Sequence, residues 1–213
     1  MDELELLKKD WRKHEEELPK LSYDEIYRMI WKKSSSIVKW ILIISILEFT
    51  LPHLLYLLPG ASENMEIYEK LGVKRFSTVF FVIGYAVTFY FIFLFYKRYR
   101  EINVLDNARD LMEKIINTRK TVKYYIIYGL TFLFLTCCIL FIGIYLTDDL
   151  SSVFPEKSTD ELSPEKLKNI LLWTVAITSI VLTAFMGGIY FLLYGLLLRK
   201  LNRNFKELKR LEV

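Results

Sequence analysis

The chain has 213 residues, 25% of them charged and 53% hydrophobic, with 29 Lys and Arg against 25 Asp and Glu and a mean hydropathy of +0.26. These values exclude a chain buried uniformly in lipid and suit several membrane spans joined by charged, helix-prone connections. They leave no room for a separate globular domain beside the spans, so the expected fold class is all-α, a polytopic membrane protein with four transmembrane helices.

Residues 1–36 are a charged stretch, too long and too polar for a cleavable signal segment, and are expected to remain in the mature protein as cytosolic N-terminal helices. Leu4, Leu7, Trp11 and Leu18 recur at helical spacing and form a candidate interaction face that ends at Pro19. Ser22 with Glu25 three residues later is a capping box, which restarts a helix through Ile26, Met29 and Ile30 toward the first apolar segment.

That segment, residues 37–58, is long enough to cross a hydrocarbon core of about 30 Å. It carries Glu48 near its middle, with Ser45 and Pro52 on the same face and His53 off it. A carboxylate at such depth costs on the order of 3 kcal/mol or more, so Glu48 is expected to face the bundle interior and find donors. Pro52 also releases the Glu48 carbonyl from its helical partner. The second span is 77–96. The connection 97–123 places Leu105, Ala108, Met112, Ile115 and Val122 on a heptad-like seam among Arg109, Lys114, Arg119 and Lys120, and predicts a helical hairpin continuing the spans.

The third span, 124–146, contains the adjacent Cys137 and Cys138, which read as small packing residues. Ser163-Pro164-Glu165 is a helix start ahead of the fourth span, 170–198. The tail 199–213 continues it as a helix along Leu198, Leu201, Phe205 and Leu208. Aligning the spans by their midpoints puts Thr88, Thr136 and Thr183 level with Glu48, as hydroxyl partners for it. Tyr96, Tyr99, Tyr124, Tyr125, Tyr128, Tyr194 and Trp40 read as an interfacial belt at one end, and Tyr56, Tyr145 and Trp173 at the other. Small residues four apart, Gly84 with Thr88, Gly143 with Thr147 and Ala184 with Gly188, suggest close helix approach.

Lys and Arg divide unevenly: nine in residues 1–40, eight in 97–123 and six from Arg199 onward, against three each in 59–76 and 147–169. Short loops rich in these residues stay on the cytoplasmic side during insertion. Both termini are therefore expected to be cytoplasmic, beside an anionic leaflet whose lipids are the natural partners of the basic faces; no nucleic acid is expected. The other two connections hold nine Asp and Glu, Asp148 and Asp149 among them. That pair could hold a divalent ion but is more simply solvated charge.

The sequence has no phosphate-binding Gly-Lys-Ser/Thr loop, no Gly-x-Ser-x-Gly elbow and no His-Glu-x-x-His pair, and its two histidines, His14 and His53, lie far apart. No catalytic residue, metal ligand or cofactor is expected. The stretches Leu4 to Trp11, Leu21 to Tyr27 and Lys33 to Trp40 resemble a family of uncharacterised small four-span bacterial inner-membrane proteins, some of which carry an automatic carotene monooxygenase name. The resemblance implies a bacterial inner membrane. The oxygenase name is not carried over, because carotenoid-cleaving enzymes hold iron with four histidines on a β-propeller. Two functions stay open: a non-enzymatic protein binding a cytosolic partner or a second copy through its basic inner helices, as an anti-sigma factor does, and an oligomeric transporter or channel subunit centred on Glu48. Glu48 itself reads as a proton or cation relay, as a polar contact to a small ligand entering from outside past His53, or as a neutral, hydrogen-bonded group that fixes helix packing.

Overall fold

Ser22 and Glu25 open the first helix by exchanging hydrogen bonds. The Ser22 N–H and hydroxyl donate to Glu25 Oε2 at 2.8 and 3.0 Å, and the Glu25 N–H donates to Ser22 Oγ at 3.3 Å. These bonds, the backbone one foremost, hold the exposed Glu25 carboxyl below its ordinary range. The computed structural model describes residues 5, 22–55, 63–102, 107–148, 150, 153 and 163–211; the face through Leu4, Leu7, Trp11 and Leu18 lies outside them.

Helix α1 is Tyr23–Leu55, α2 Glu63–Lys70, α3 Lys74–Glu101, α4 Ala108–Leu146 and α5 Pro164–Leu211. Among the described residues the structure is all-helical, without strands. Four of these helices, all but α2, are long and apolar enough to cross a membrane, so the chain is a multi-pass membrane protein. Only 11% of the most apolar stretch of each of α3, α4 and α5 is buried within the chain, so most of each stretch is left partly or wholly exposed. At 39 and 48 residues, α4 and α5 measure roughly 58 and 72 Å by their rise per residue. Both must therefore project well beyond a hydrocarbon core of about 30 Å.

The four long helices form an up-down bundle. Adjacent pairs are α1 with α3, α3 with α4, α4 with α5 and α5 with α1, and α1 lies diagonally across from α4. Antiparallel packing shows in the ring contacts: Phe49 of α1 meets Phe89 at 4.9 Å while His53, one turn on, meets Tyr85 at 5.2 Å. Asn107 caps α4 by accepting from the Asp110 N–H at 2.7 Å. Where α3 passes α4, Gly84 lies against the Phe132 ring, and a Cβ there would collide with it. Of the small-residue pairs, Gly84 and Gly143 do mark close approaches; Gly188 faces open space.

The main core lies at the basic end, where the start of α1, the start of α4 and the end of α5 meet. Ile30, Ser34, Val38 and Ile41 pack with Leu111, Ile115, Val122, Leu201 and Leu208. The predicted seams are present with shifted membership: Leu111 and Thr118 point inward and Met29 outward. On α4 the seam runs Leu111, Ile115, Thr118, Val122, Tyr125, and on α5 it runs Tyr194, Leu197, Leu201, Asn204, Leu208, each alternating steps of three and four as in a coiled coil. A buried hydrogen bond crosses it from Asn204 Nδ2 to Ser34 Oγ at 3.0 Å.

A second, smaller cluster closes the opposite end: Leu71, Ile144, Leu150, Val153, Leu167 and Leu171. Helix α2, unforeseen within the connection 59–76, ends in a tight turn through Gly72, whose φ of +70° is the left-handed conformation glycine tolerates. The turn sets Leu71 and Val73 against Gly143 of α4.

Candidate functional site

Glu48 is where four helices converge. Its Oε2 accepts from the Tyr125 hydroxyl of α4 at 2.8 Å and from the Tyr194 hydroxyl of α5 at 3.0 Å. Phe95 of α3 packs edge-on against Tyr125 with centroids 5.3 Å apart. Tyr125 and Tyr194 also meet each other edge-on at 5.9 Å, and Tyr190 stands 5.9 Å from Tyr194. Tyr194 and Phe95 are fully buried, and Tyr125 nearly so. The carboxylate thus reaches across the bundle diagonal into an aromatic cage, where phenol hydroxyls are its donors.

The cage leaves one oxygen over. Both hydroxyls converge on Oε2, and Oε1 is buried without a hydrogen-bond partner among the described residues. An orphaned buried acceptor costs about 1–3 kcal/mol. The backbone carbonyl of Glu48 loses its usual partner as well, because Pro52 sits four residues on inside α1 and has no N–H to give.

None of the three threonines supplies a hydrogen bond to the carboxylate. Thr88 donates to the Gly84 carbonyl at 3.0 Å and lies 3.1 Å from the Tyr128 hydroxyl, which itself reaches the same carbonyl at 2.6 Å. Two hydroxyl protons therefore serve three contacts. Thr136 donates to the Phe132 carbonyl at 2.9 Å, and the Thr183 hydroxyl is buried with no partner among the described residues. Ser45, fully buried, satisfies itself on the Leu42 carbonyl at 2.8 Å. His53 points away, its Nδ1 2.5 Å from the Phe49 carbonyl and its ring 4.4 Å from that of Phe49.

Midpoint alignment fails for a physical reason. Ile37, Val38 and Ile41 belong to the basic-end core, so the first part of the apolar segment 37–58 packs on protein rather than lipid. Helix α1 is displaced accordingly, and Glu48 comes level with Tyr125 and Tyr194, near the basic ends of the third and fourth apolar segments. That position is less costly for a carboxyl group than the bilayer centre.

Tyr125 and Tyr194, the two partners of Glu48, are residues that the sequence pattern assigns elsewhere, to the interfacial belt. Tyr96, Tyr124 and Trp40 do face outward there, as do Tyr145 and Trp173 toward the other end. The missing signal was the seam: stepping on by three from Val122 reaches Tyr125, whereas the neighbouring Tyr124 falls a third of a turn away.

No three His, Cys, Asp or Glu side chains that could hold a metal ion come together among the described residues. The arrangement can hold a proton or accept a cation at Oε1, and it ties α1, α4 and α5 at one height. Searches among curated proteins and among solved structures find no match. The family model described as domain of unknown function DUF8845 matches residues 24–213, from the first turn of α1 to the C-terminus, and the chain belongs to that family.

Proposed function

We propose that this is a non-enzymatic, multi-pass bacterial inner-membrane protein, with both termini cytoplasmic, that binds or tethers a cytosolic protein through its basic helical extensions, in the manner of an anti-sigma factor. The observation that carries this reading is the folded basic end. There α1, α4 and α5 run past their apolar stretches and close Leu111, Ile115, Leu201 and Leu208 completely from solvent, while Arg109, Lys120, Lys200, Arg203 and Arg210 face outward. A small platform is built where the positive charge lies, and the excess of Lys and Arg at that end supports its cytoplasmic side. Its internal stripes are spent on one another, and the partner-binding face proposed is the sequence stripe Leu4, Leu7, Trp11 and Leu18, which lies outside the described residues.

The test is affinity purification in mild detergent of the full chain and of a form lacking residues 1–20, with membrane insertion checked for both. A cytosolic protein recovered with the full chain and lost with the deletion supports the proposal. Equal recovery sinks it.

A second reading is favoured by the unpartnered Oε1 of Glu48: an oligomeric transporter or channel subunit that uses this carboxyl as its ion-binding group. Glu48→Gln keeps an oxygen for the two tyrosines and removes the exchangeable proton. Abolished flux in proteoliposomes carrying a pH or cation gradient supports that reading, and unchanged flux removes it.

A further inference from the structure

Between α4 and α5, on the outside of the bundle, runs a groove of about 480 Å³ lined by Arg119 and Ile126 of α4 and by Gly187, Tyr190, Phe191, Gly195, Leu198, Arg199 and Asn202 of α5. One end is cationic. Arg119, half-buried, donates to Asn202 Oδ1 at 2.9 Å, which fixes its guanidinium at the rim and leaves its other donors available. The Arg199 guanidinium lies over the Phe191 ring at 5.4 Å. Among the described residues no acidic side chain lines the groove. Its other end is an apolar trough kept open by Gly187 and Gly195, whose missing side chains would meet only Leu130 and Phe191 at ordinary contact distances.

The dimensions match one leaflet. From Asn202 to Gly187 is fifteen residues, or roughly 22 Å along α5, and half of a bilayer about 40–45 Å thick is close to the same length. Guanidinium groups pair with phosphate oxygens through paired N–H donors. Below the rim the lining is aliphatic and aromatic, which suits an acyl chain and not a soluble anion.

We propose that this groove binds an anionic phospholipid, its phosphate between Arg119 and Arg199 and one acyl chain along Gly195 and Gly187 toward the bilayer midplane. The proposal rests on neither a cytosolic partner nor a role for Glu48, although Tyr190 borders both the groove and the Glu48 cage; it rests only on the chain's embedding in a membrane. It differs from diffuse attraction to the basic end because two residues without charge, Gly187 and Gly195, form its floor.

Native mass spectrometry of the full chain, released from micelles holding equal dioleoyl-phosphatidylglycerol and dioleoyl-phosphatidylcholine, tests it. Phosphatidylglycerol should be retained in at least roughly fivefold excess, about what one guanidinium contributes at an anionic surface. Arg119→Gln with Arg199→Gln should bring the two lipids to parity. Gly187→Leu, which keeps both charges, should lower retained phosphatidylglycerol at least threefold, about the effect of obstructing one buried chain segment. Thermal unfolding of each variant checks that the bundle is intact, and Arg119→Lys with Arg199→Lys, which preserves charge, should keep part of the excess. The proposal is overturned by equal retention of both lipids, by an excess that survives the double glutamine variant, or by an unaffected Gly187→Leu. Displacement of the lipid by millimolar glycerol 3-phosphate would mean a free-anion site. A lipid-free dimer abolished by Gly187→Leu would mean a second copy sits in the groove.

Discussion

At the basic end, Ile41, Leu111, Ile115, Val122, Leu201 and Leu208 are shut off from solvent entirely, with a polar Ser34–Asn204 bond among them. At the opposite end six apolar residues cluster under the short helix α2, stitched by Lys168 donating to the Thr147 carbonyl at 3.0 Å and by the exposed Lys74–Glu69 and Lys70–Glu66 ion pairs. Exposed ion pairs add little, about 0–1 kcal/mol each. Between the ends, the spans turn most of their apolar side chains outward. The difference reflects solvent. Where water is the alternative environment, apolar burial drives assembly; where lipid is the alternative, it does not, and close packing and buried polar contacts have to hold the helices together.

The strongest challenge to this contrast is truncation of equivalent apolar residues in the two settings. Leu201→Ala should destabilise the fold by about 2–5 kcal/mol, as for a filled core site, whereas Leu196→Ala, exposed on the lipid side of the same helix, should change it by only about 0.5 kcal/mol. Equilibrium unfolding in mixed micelles reads both, and equal costs would erase the distinction. Within the spans, Glu48→Ala strands two buried hydroxyls and should cost about 1–3 kcal/mol. The same unfolding assay applies, and Tyr125→Phe together with Tyr194→Phe in that background should recover part of the loss.

Ser34→Ala leaves the Asn204 amide without its acceptor and should cost about 1 kcal/mol. Adding Asn204→Leu should restore stability, since both partners are then apolar; hydrogen exchange across residues 199–208 reports the outcome. Smallest is an effect of pH at the start of α1. Because the folded Glu25 carboxyl titrates below its ordinary value of 4.5, its contribution is complete above that pH and is lost as pH falls through the lowered value. Protection of the amides at residues 22–25, corrected for the pH dependence of intrinsic exchange, should fall over that range, and Glu25→Gln should flatten the dependence.

Much of this was legible from residue spacing. The Ser22–Glu25 cap, the helix start at Ser163, the apolar segments and the stripes outside them all have local causes, so local reading finds them; the Asn107 cap, inside a connection read as one continuous seam, was missed. The partners of Glu48 were not legible in the same way. Identifying them needs the relative heights of four helices, and the height of α1 depends on how much of its apolar segment packs on protein, a tertiary quantity. Tyrosine adds ambiguity, since its ring and hydroxyl suit a membrane interface and a buried donor site equally well. Helix α2 escaped because eight mostly polar residues are too short a stretch for a helical spacing to stand out.

Among the described residues two polar contacts at separate heights join α1 to α5, Ser34 to Asn204 and Glu48 to Tyr194. They work like two dowels through a pair of rods. Sliding α5 along α1 by one helical turn, about 5.4 Å, breaks both at once, so a piston stroke between the two helices is opposed at two heights. Bending at Pro52, inside α1 and beyond the second dowel, would break neither.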